Sequence, residues 1–264
     1  MTDQPVLYDV TEGVARITLN RPEAMNSLDI PTKEALLSAV RQAAADQDVR
    51  CVVLSGTGRG FCVGQYLKEH ILLLASDPDG AMSSTVDAHY NPIVTELATM
   101  PKPVIAALNG VAAGAGASLA FACDFRILVD TAGFNLAFAG VALSCDTGSS
   151  WTLQRLVGPA KAIELLYHPS TIPADEALRL GIATSVVPAD EFDATVATLA
   201  SRLASGPTVS YGSIRQSVSY AAGHSLADSL AFESRMMART GATEDHRNAV
   251  AAFVAKEKPT FRGR

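Results

Sequence analysis

The sequence predicts an α/β fold, and three observations carry that expectation. The continuous apolar runs 51-CVVLSG-56, 103-PVIAALNG-110 and 125-FRILVD-130 have the composition of strands buried on both faces. Helix-patterned stretches alternate with these runs, and two of the strands end in a glycine-rich turn that opens a helix. Beyond Trp151 the strand signal fades, so the last third of the chain reads as helical.

Each element has a local reason. VLYDV and VARITLN are β-prone runs joined at Glu12-Gly13, which predicts a hairpin. EAMNSLD reads as a loop, and Pro31 then leads a helix on which Leu36, Leu37, Val40, Ala43 and Ala44 form an apolar stripe. After the first buried strand, 56-GTGRGFCVGQYL-67 reads as a loop. A polar region around 76–88 follows, and then a helix to about Met100. The small residues of 111-VAAGAGASLAFACD-124 predict a tight turn into a closely packed helix. Helices are expected at 159–168, at 174–180 (ended by Gly181 at its C′ position) and at 190–204. In the last of these Phe192, Val196, Leu199 and Leu203 share a face, and three more helical stretches follow, ending around Glu244–Ala255.

At 264 residues the chain can bury a substantial core. Its formal net charge of −6 and its lack of a basic run argue against a nucleic-acid partner. Charged residues interrupt the apolar runs too often for a membrane span. The opening MTDQPVLYDV lacks the basic and apolar regions of a secretory signal. Cys51, Cys62, Cys123 and Cys145 are scattered, and the five histidines form no ligand motif. The expectation is a cytoplasmic protein without a disulfide framework or a metal site.

Neither glycine-rich segment is a nucleotide signature: GTGRGFCVG lacks the Lys-Ser/Thr ending, and GVAAGAG lacks the GxGxxG spacing. On spacing alone both are tight turns. Each also presents backbone N–H groups at a strand-to-helix turn, where negative charge is favoured. Two such groups converging from different loops would make an oxyanion hole for a polarised carbonyl. In 139-AGVALSCDTGSSW-151 the lone charge is Asp146. Asp followed by Thr147, Gly148 and Ser149 is N-cap chemistry, whereas an acid among apolar neighbours has a raised pKa and can move protons.

Four segments in order, ARITLNRPEAMNSLD, GTGRGFCVGQYLKE, PVIAALNGVAAGAGASLAFACDFRI and VALSCDTGSSWTLQRLVG, together with the tail TEDHRNAVAAFVAKEKPTFRG, closely resemble the enoyl-CoA hydratase/isomerase family, the crotonase superfamily. The resemblance covers essentially the whole chain. It implies a crotonase-like spiral of repeated strand–strand–helix units over residues 1–195, which would hold an acyl-CoA site. It also implies a helical oligomerisation region over 196–264 that forms a trimer or a dimer of trimers. Coenzyme A enters as part of a thioester substrate, with no separate cofactor.

The resemblance also assigns roles. The two oxyanion donors fall on the backbone N–H groups of Gln65, after Gly64, and of Ala115, after Gly114. Many relatives have glycine at the second position; alanine keeps the N–H but restricts the backbone if φ must be positive there. Ala24, Met25 and Ser27 match the loop that meets the CoA adenine, and Lys68 and Lys256 match phosphate-facing lysines, the second on a neighbouring subunit's ligand. The two glutamates of the hydratases are replaced by Ser118 and Phe138, which leaves a hydratase mechanism without its acid–base groups. Asp146 stands where several isomerases of the family carry an acid, and its surroundings look closest to the phenylacetate-pathway ring-epoxide isomerase branch. The implied chemistry is a proton shift through a thioester dienolate, with Asp146 buried near Phe138, Leu143 and Trp151. The pocket walls are expected around 70–90 and 136–144.

Other readings stay open. One is a hydratase in name or residual activity. A second is a 4-chlorobenzoyl-CoA dehalogenase-like or thioesterase chemistry with Asp146 as nucleophile, kept open by Tyr66, where the isomerase branch tends to have aspartate. The histidine and tryptophan of the dehalogenases are matched here by Asn91 and Phe138, with His89 close by in sequence. A third is a non-catalytic acyl-CoA-binding protein.

Overall fold

The computed structural model describes residues 4–76 and 84–264. Its first strands, β1 (Val6–Thr11) and β2 (Val14–Leu19), pair antiparallel with Thr11 opposite Val14. The two-residue turn between them has positive φ at both Glu12 and Gly13, the hairpin geometry that matches strand twist. Helix α1 (Ile30–Ala45) starts at Asp29, whose carboxylate accepts from Thr32 N–H at 3.0 Å, and carries Pro31 in its first turn. Leu36, Ala39, Val40 and Ala43 form its buried face, while Leu37 and Ala44 are half-buried against the core.

The chain then winds as a spiral in which each turn gives one strand to each of two sheets. Strand β3 (Cys51–Gly56) is followed by β4 (Gly60–Cys62) and helix α2 (Leu67–Ser76). A short π turn (Val86–Tyr90) runs into α3 (Asn91–Thr99). The next turn is β5 (Val104–Leu108), β6 (Val111–Ala113) and α4 (Ala115–Phe121). The third is β7 (Phe125–Val129), β8 (Gly133–Asn135) and α5 (Ser149–Val157). Helix α6 (Pro159–Tyr167), β9 (Thr171–Pro173), α7 (Ala174–Arg179) and β10 (Ser185–Val187) complete the core. The larger sheet has the order β1-β2-β3-β5-β7-β10, parallel beyond the hairpin, and the smaller has the order β4-β6-β8-β9. This is the crotonase-like spiral that the resemblance implied.

The three apolar runs are the central strands of the larger sheet, and every residue of β5 is buried. Removing such Val, Ile and Leu side chains from water is worth roughly 1.5–3 kcal/mol each. The residue pattern alone did not show the strands of the smaller sheet or β10. At three residues each they are too short to show alternation, and β4 and β6 lie inside the stretches read as glycine-rich turns.

Helix α8 (Ala189–Ala204) crosses residue 195 and lays Phe192, Val196, Ala200 and Leu203 against the larger sheet. Helices α9 (Thr208–Ala221), α10 (Leu226–Gly241) and α11 (Glu244–Ala255) follow. Arg215 fastens α9 to the core, with bonds to Asp124 Oδ1 (2.6 Å), Met100 O (2.7 Å) and Leu97 O (2.5 Å). Arg50 holds the C-terminal segment through Thr208 Oγ1 and Phe261 O. Ile214, Val218, Leu226, Leu230, Met237 and Phe253 leave apolar surface on these three helices. Among the described residues no helix is long and apolar enough to cross a membrane.

Candidate active site

A cavity of about 830 Å³ opens where the loop after β4, helix α2, the β6–α4 turn and the β8–α5 loop meet. It gathers nine of the residues singled out in the sequence: Ala24, Ser27, Gly64, Gln65, Lys68, Gly114, Ala115, Phe138 and Asp146. Met25 and Lys256 are not among its lining residues. Met25 accepts Val63 N–H through its carbonyl, and Lys256 is exposed at the C-terminus of α11. The expected pocket walls are present as His70, Leu74 and Tyr90 on one side, and Ala137, Phe138, Val141 and Leu143 on the other. The part of the 70–90 expectation that falls on 77–83 lies outside the described residues.

Backbone pairing sets the first amide. Leu28 donates to Gly64 O at 2.7 Å and accepts from Tyr66 N–H at 3.1 Å, a parallel bridge centred on Gln65. In that arrangement the N–H of Gln65 points away from Leu28. The second amide belongs to Ala115, the first residue of α4. The positive φ of this turn falls on Gly114 (50°), so Ala115 needs no left-handed conformation and its methyl group carries no backbone penalty. Among the described residues no protein acceptor takes either the Gln65 or the Ala115 N–H.

The two segments touch. Gly64 has φ +81°, and a methyl group there would lie 2.9 Å from Ala113 O and 3.3 Å from Ala115 N. One added to Gly116 would lie within 2.8 Å of Cys62 Cβ. Only residues without a side chain at Gly64 and Gly116 allow the two segments to lie this close.

Asp146 sits on a sharp bend in which Thr147 (φ 52°) and Gly148 (φ 75°) are both left-handed. A β-branched residue in that region is strained, the kind of backbone that collects at functional sites. The bend corrects the capping expectation: the N-cap of α5 is Gly148, and no side chain caps it. Ser149 N–H and Oγ–H instead reach the main-chain carbonyl of Asp146, at 3.0 and 2.9 Å. The carboxylate keeps one bond, accepting Thr147 Oγ1–H at 2.8 Å, and lines the cavity. Burial pushes its pKa up, and the Thr147 hydroxyl pulls part of the way back.

Asp146 is the one carboxylate among the residues lining this cavity. Ser118 is buried within α4, with its hydroxyl donating to Gly114 O at 3.1 Å, and Phe138 presents a ring to the cavity. Asn91 donates to Asp87, and His89 shares a bond with Thr85; neither lines the cavity. Phe138 and Leu143 border the cavity as expected. Trp151 does not: it is 42% exposed, stacks on the Arg155 guanidinium at 3.9 Å, and faces a groove beside α9.

Sequence reasoning missed Tyr90 and Lys33. Tyr90 is buried, lines the cavity and donates to Gln65 Oε1 at 2.5 Å. Burial drives its phenol pKa up, and the charges of Cys62, Asp146 and Glu69 add to this. Its spacing to Ile93 and Leu97 was the available signal, since the three share one buried helical face. Lys33 had no signal, because a lysine in the first turn of a helix normally stays in water.

The sequence matches the enoyl-CoA hydratase/isomerase family over residues 9–264. The 1,2-epoxyphenylacetyl-CoA isomerase of Escherichia coli (strain K12) is 38% identical over 262 residues, 98% of each chain. The (E)-benzylidenesuccinyl-CoA hydratase of Thauera aromatica is 33% identical over 260 residues, 98% of this chain and 99% of the other. A solved Mycobacterium abscessus chain assigned to enoyl-CoA hydratase/isomerase superposes with a TM-score of 0.94 at 42% identity, covering 98% of this chain and 100% of that one. In sequence and fold alike, the chain belongs to the enoyl-CoA hydratase/isomerase family of the crotonase superfamily.

Proposed function

We propose that this acyl-CoA enzyme is an isomerase that moves a proton along an enoyl thioester. The observation that carries the reading is that one carboxylate, Asp146, shares the cavity with the unpaired amides of Gln65 and Ala115. In a 3-enoyl-CoA the Asp146 carboxylate takes a proton from C2, and electrons move into the thioester carbonyl to give a dienolate. The two amides hold the developing oxyanion. Asp146 then returns the proton to C4, giving the conjugated 2-enoyl-CoA with no net gain or loss of atoms. One acid on one face suffices, and a raised pKa brings it nearer its working range.

The remaining assignments belong to the same reading. Ala24, Met25 and Ser27 meet the adenine end of CoA, and Lys68 faces its phosphates. Lys256 does so for a neighbouring subunit's ligand. Phe138 walls the acyl group. Coenzyme A is part of the substrate, and no further cofactor takes part. Residues 1–195 are the catalytic core, and 196–264 assemble a homotrimer or a dimer of trimers through the apolar surface of α9–α11. The enzyme works in the cytoplasm.

Relatives of this chain include hydratases, but the positions of the two hydratase glutamates hold Ser118 and Phe138, which supports the proton shift over water addition. A second reading uses Asp146 as a nucleophile. His70 lines the same cavity and is the observation in its favour. The test follows the absorbance of a conjugated thioester as wild type and Asp146→Ala act on a panel of 3-enoyl-CoA substrates, with binding measured in parallel. The expected result is conversion by wild type and binding without conversion by the variant. Unimpaired turnover in Asp146→Ala would overturn the proposal. Release of free CoA would support the nucleophilic reading, and binding without turnover by wild type would support a binding protein.

A further inference from the structure

Lys33 is 0% exposed, and its ammonium group donates to the side chain of Gln65, the residue whose backbone N–H is read above as the first oxyanion donor. Removing a lysine wholly from water costs several kcal/mol unless its donors are satisfied. Here the three donors meet three acceptors: Thr85 Oγ1 at 2.8 Å, Gln65 Oε1 at 3.3 Å and Glu69 Oε1 at 3.3 Å. Burial lowers the ammonium pKa and Glu69 opposes that effect.

The Gln65 carboxamide is held from several directions. Its oxygen accepts from Lys33 on α1 and from Tyr90 in the π turn, and its Nε2 donates to Glu69 on α2 at 3.2 Å. The other carboxylate oxygen of Glu69 accepts Ile30 N–H at 2.9 Å, which ties the cluster to the start of α1. A side chain fixed at its far end restrains its own Cα and hence the peptide that precedes it. That peptide, Gly64–Gln65, carries the N–H read above as the first oxyanion donor.

We infer that Lys33 is a positioning residue that acts through the Gln65 side chain to aim the Gln65 N–H at the thioester oxygen. The inference rests on the oxyanion reading proposed above. Lys33 touches no substrate atom in this role; it sets how well one donor is placed. A misplaced donor weakens transition-state binding more than substrate binding, so kcat falls while KM holds.

The test uses the full-length enzyme and a bound saturated acyl-CoA labelled with carbon-13 at the thioester carbonyl. Infrared difference spectroscopy then reads how far the carbonyl stretch drops on binding. Lys33→Met removes the ammonium, and Gln65→Met keeps the backbone N–H while deleting the carboxamide that Lys33 holds. Both are expected to lose a large part of the wild-type shift. Their kcat should fall on the order of tenfold, short of the ~100-fold for losing a donor outright. Asp146→Asn should abolish turnover and keep the shift. If Lys33→Met folds and retains both the wild-type shift and kcat, the inference is overturned. If Lys33→Met fails to fold, Gln65→Met decides alone, and an unchanged shift there overturns it. A wild-type enzyme that shows no shift removes the oxyanion reading and this inference with it, whereas a wild-type shift kept by both variants removes the inference only.

Discussion

Replacing Gly64 by alanine tests how closely the two loops proposed to form the oxyanion hole are fitted. The new methyl group would lie 2.9 Å from Ala113 O and 3.3 Å from Ala115 N. Carbon and oxygen normally stand about 3.3–3.6 Å apart at their closest, so the loops must separate by roughly 0.5 Å. Alanine at φ +81° adds roughly 1–2 kcal/mol of backbone cost. Gly181 supplies the control. It has nearly the same φ, +77°, but a methyl group there would meet nothing nearer than Leu156 O at 3.9 Å. Both variants should lose roughly 1–2 kcal/mol in denaturant unfolding, with Gly64→Ala the lower of the two. In isomerase assays Gly181→Ala should stay within about twofold of wild type. Gly64→Ala should lose about 10–100-fold in kcat, because a donor misplaced by a fraction of an ångström forfeits much of its transition-state binding. Equal kcat in the two variants would refute the idea that Gly64 sets the spacing of the amides.

Three further predictions follow from burial. Asp146 must be ionised to act as the proposed base, and its pKa lies above the ordinary 3.8, so kcat/KM should fall with an acid limb above that value. The same shift fixes a sign for stability. The folded chain holds this proton more tightly than the unfolded chain, so stability declines as pH rises from 3.8 through the raised value and the ionised form is a standing cost above it. Asp146→Asn should therefore melt above wild type at neutral pH, with the gap closing toward pH 3.8; a lower Tm at neutral pH would contradict this. Among the thiols, burial pushes Cys51, Cys62 and Cys123 up to about 12, while Cys145 is only half-buried. A thiol-disulfide reagent at neutral pH should titrate one cysteine per native chain quickly and three only on unfolding, and two fast thiols would show the core to be more open than described.

What the sequence made legible follows the length of the signal. Strands of five or six apolar residues and helices with a four-fold apolar repeat were readable, down to Glu12-Gly13 and Gly181. The three-residue strands were not, because pairing in the smaller sheet comes from neighbours distant in sequence. At the site, glycine spacing and Asp146 could be placed by resemblance, and the structure brings most of those positions to one cavity. Trp151 was misplaced because its closeness in sequence to Asp146 says nothing of direction: the bend at Thr147 and Gly148 sends α5, and the indole with it, to another face. Lys33, Gln65, Glu69, Thr85 and Tyr90 come from three separate segments, and no pattern along the chain announces that they meet.

The central claim is that a single carboxylate moves the proton while two amides hold the oxygen. It is tested most directly by following a 3-enoyl-CoA in deuterium oxide by NMR, with wild type and with Asp146→Asn under conditions where both bind. The account predicts that wild type forms the 2-enoyl product with part of the C2 proton carried to C4. It predicts that Asp146→Asn leaves the C2 protons in place. Loss of those protons to solvent at the wild-type rate in Asp146→Asn would contradict it.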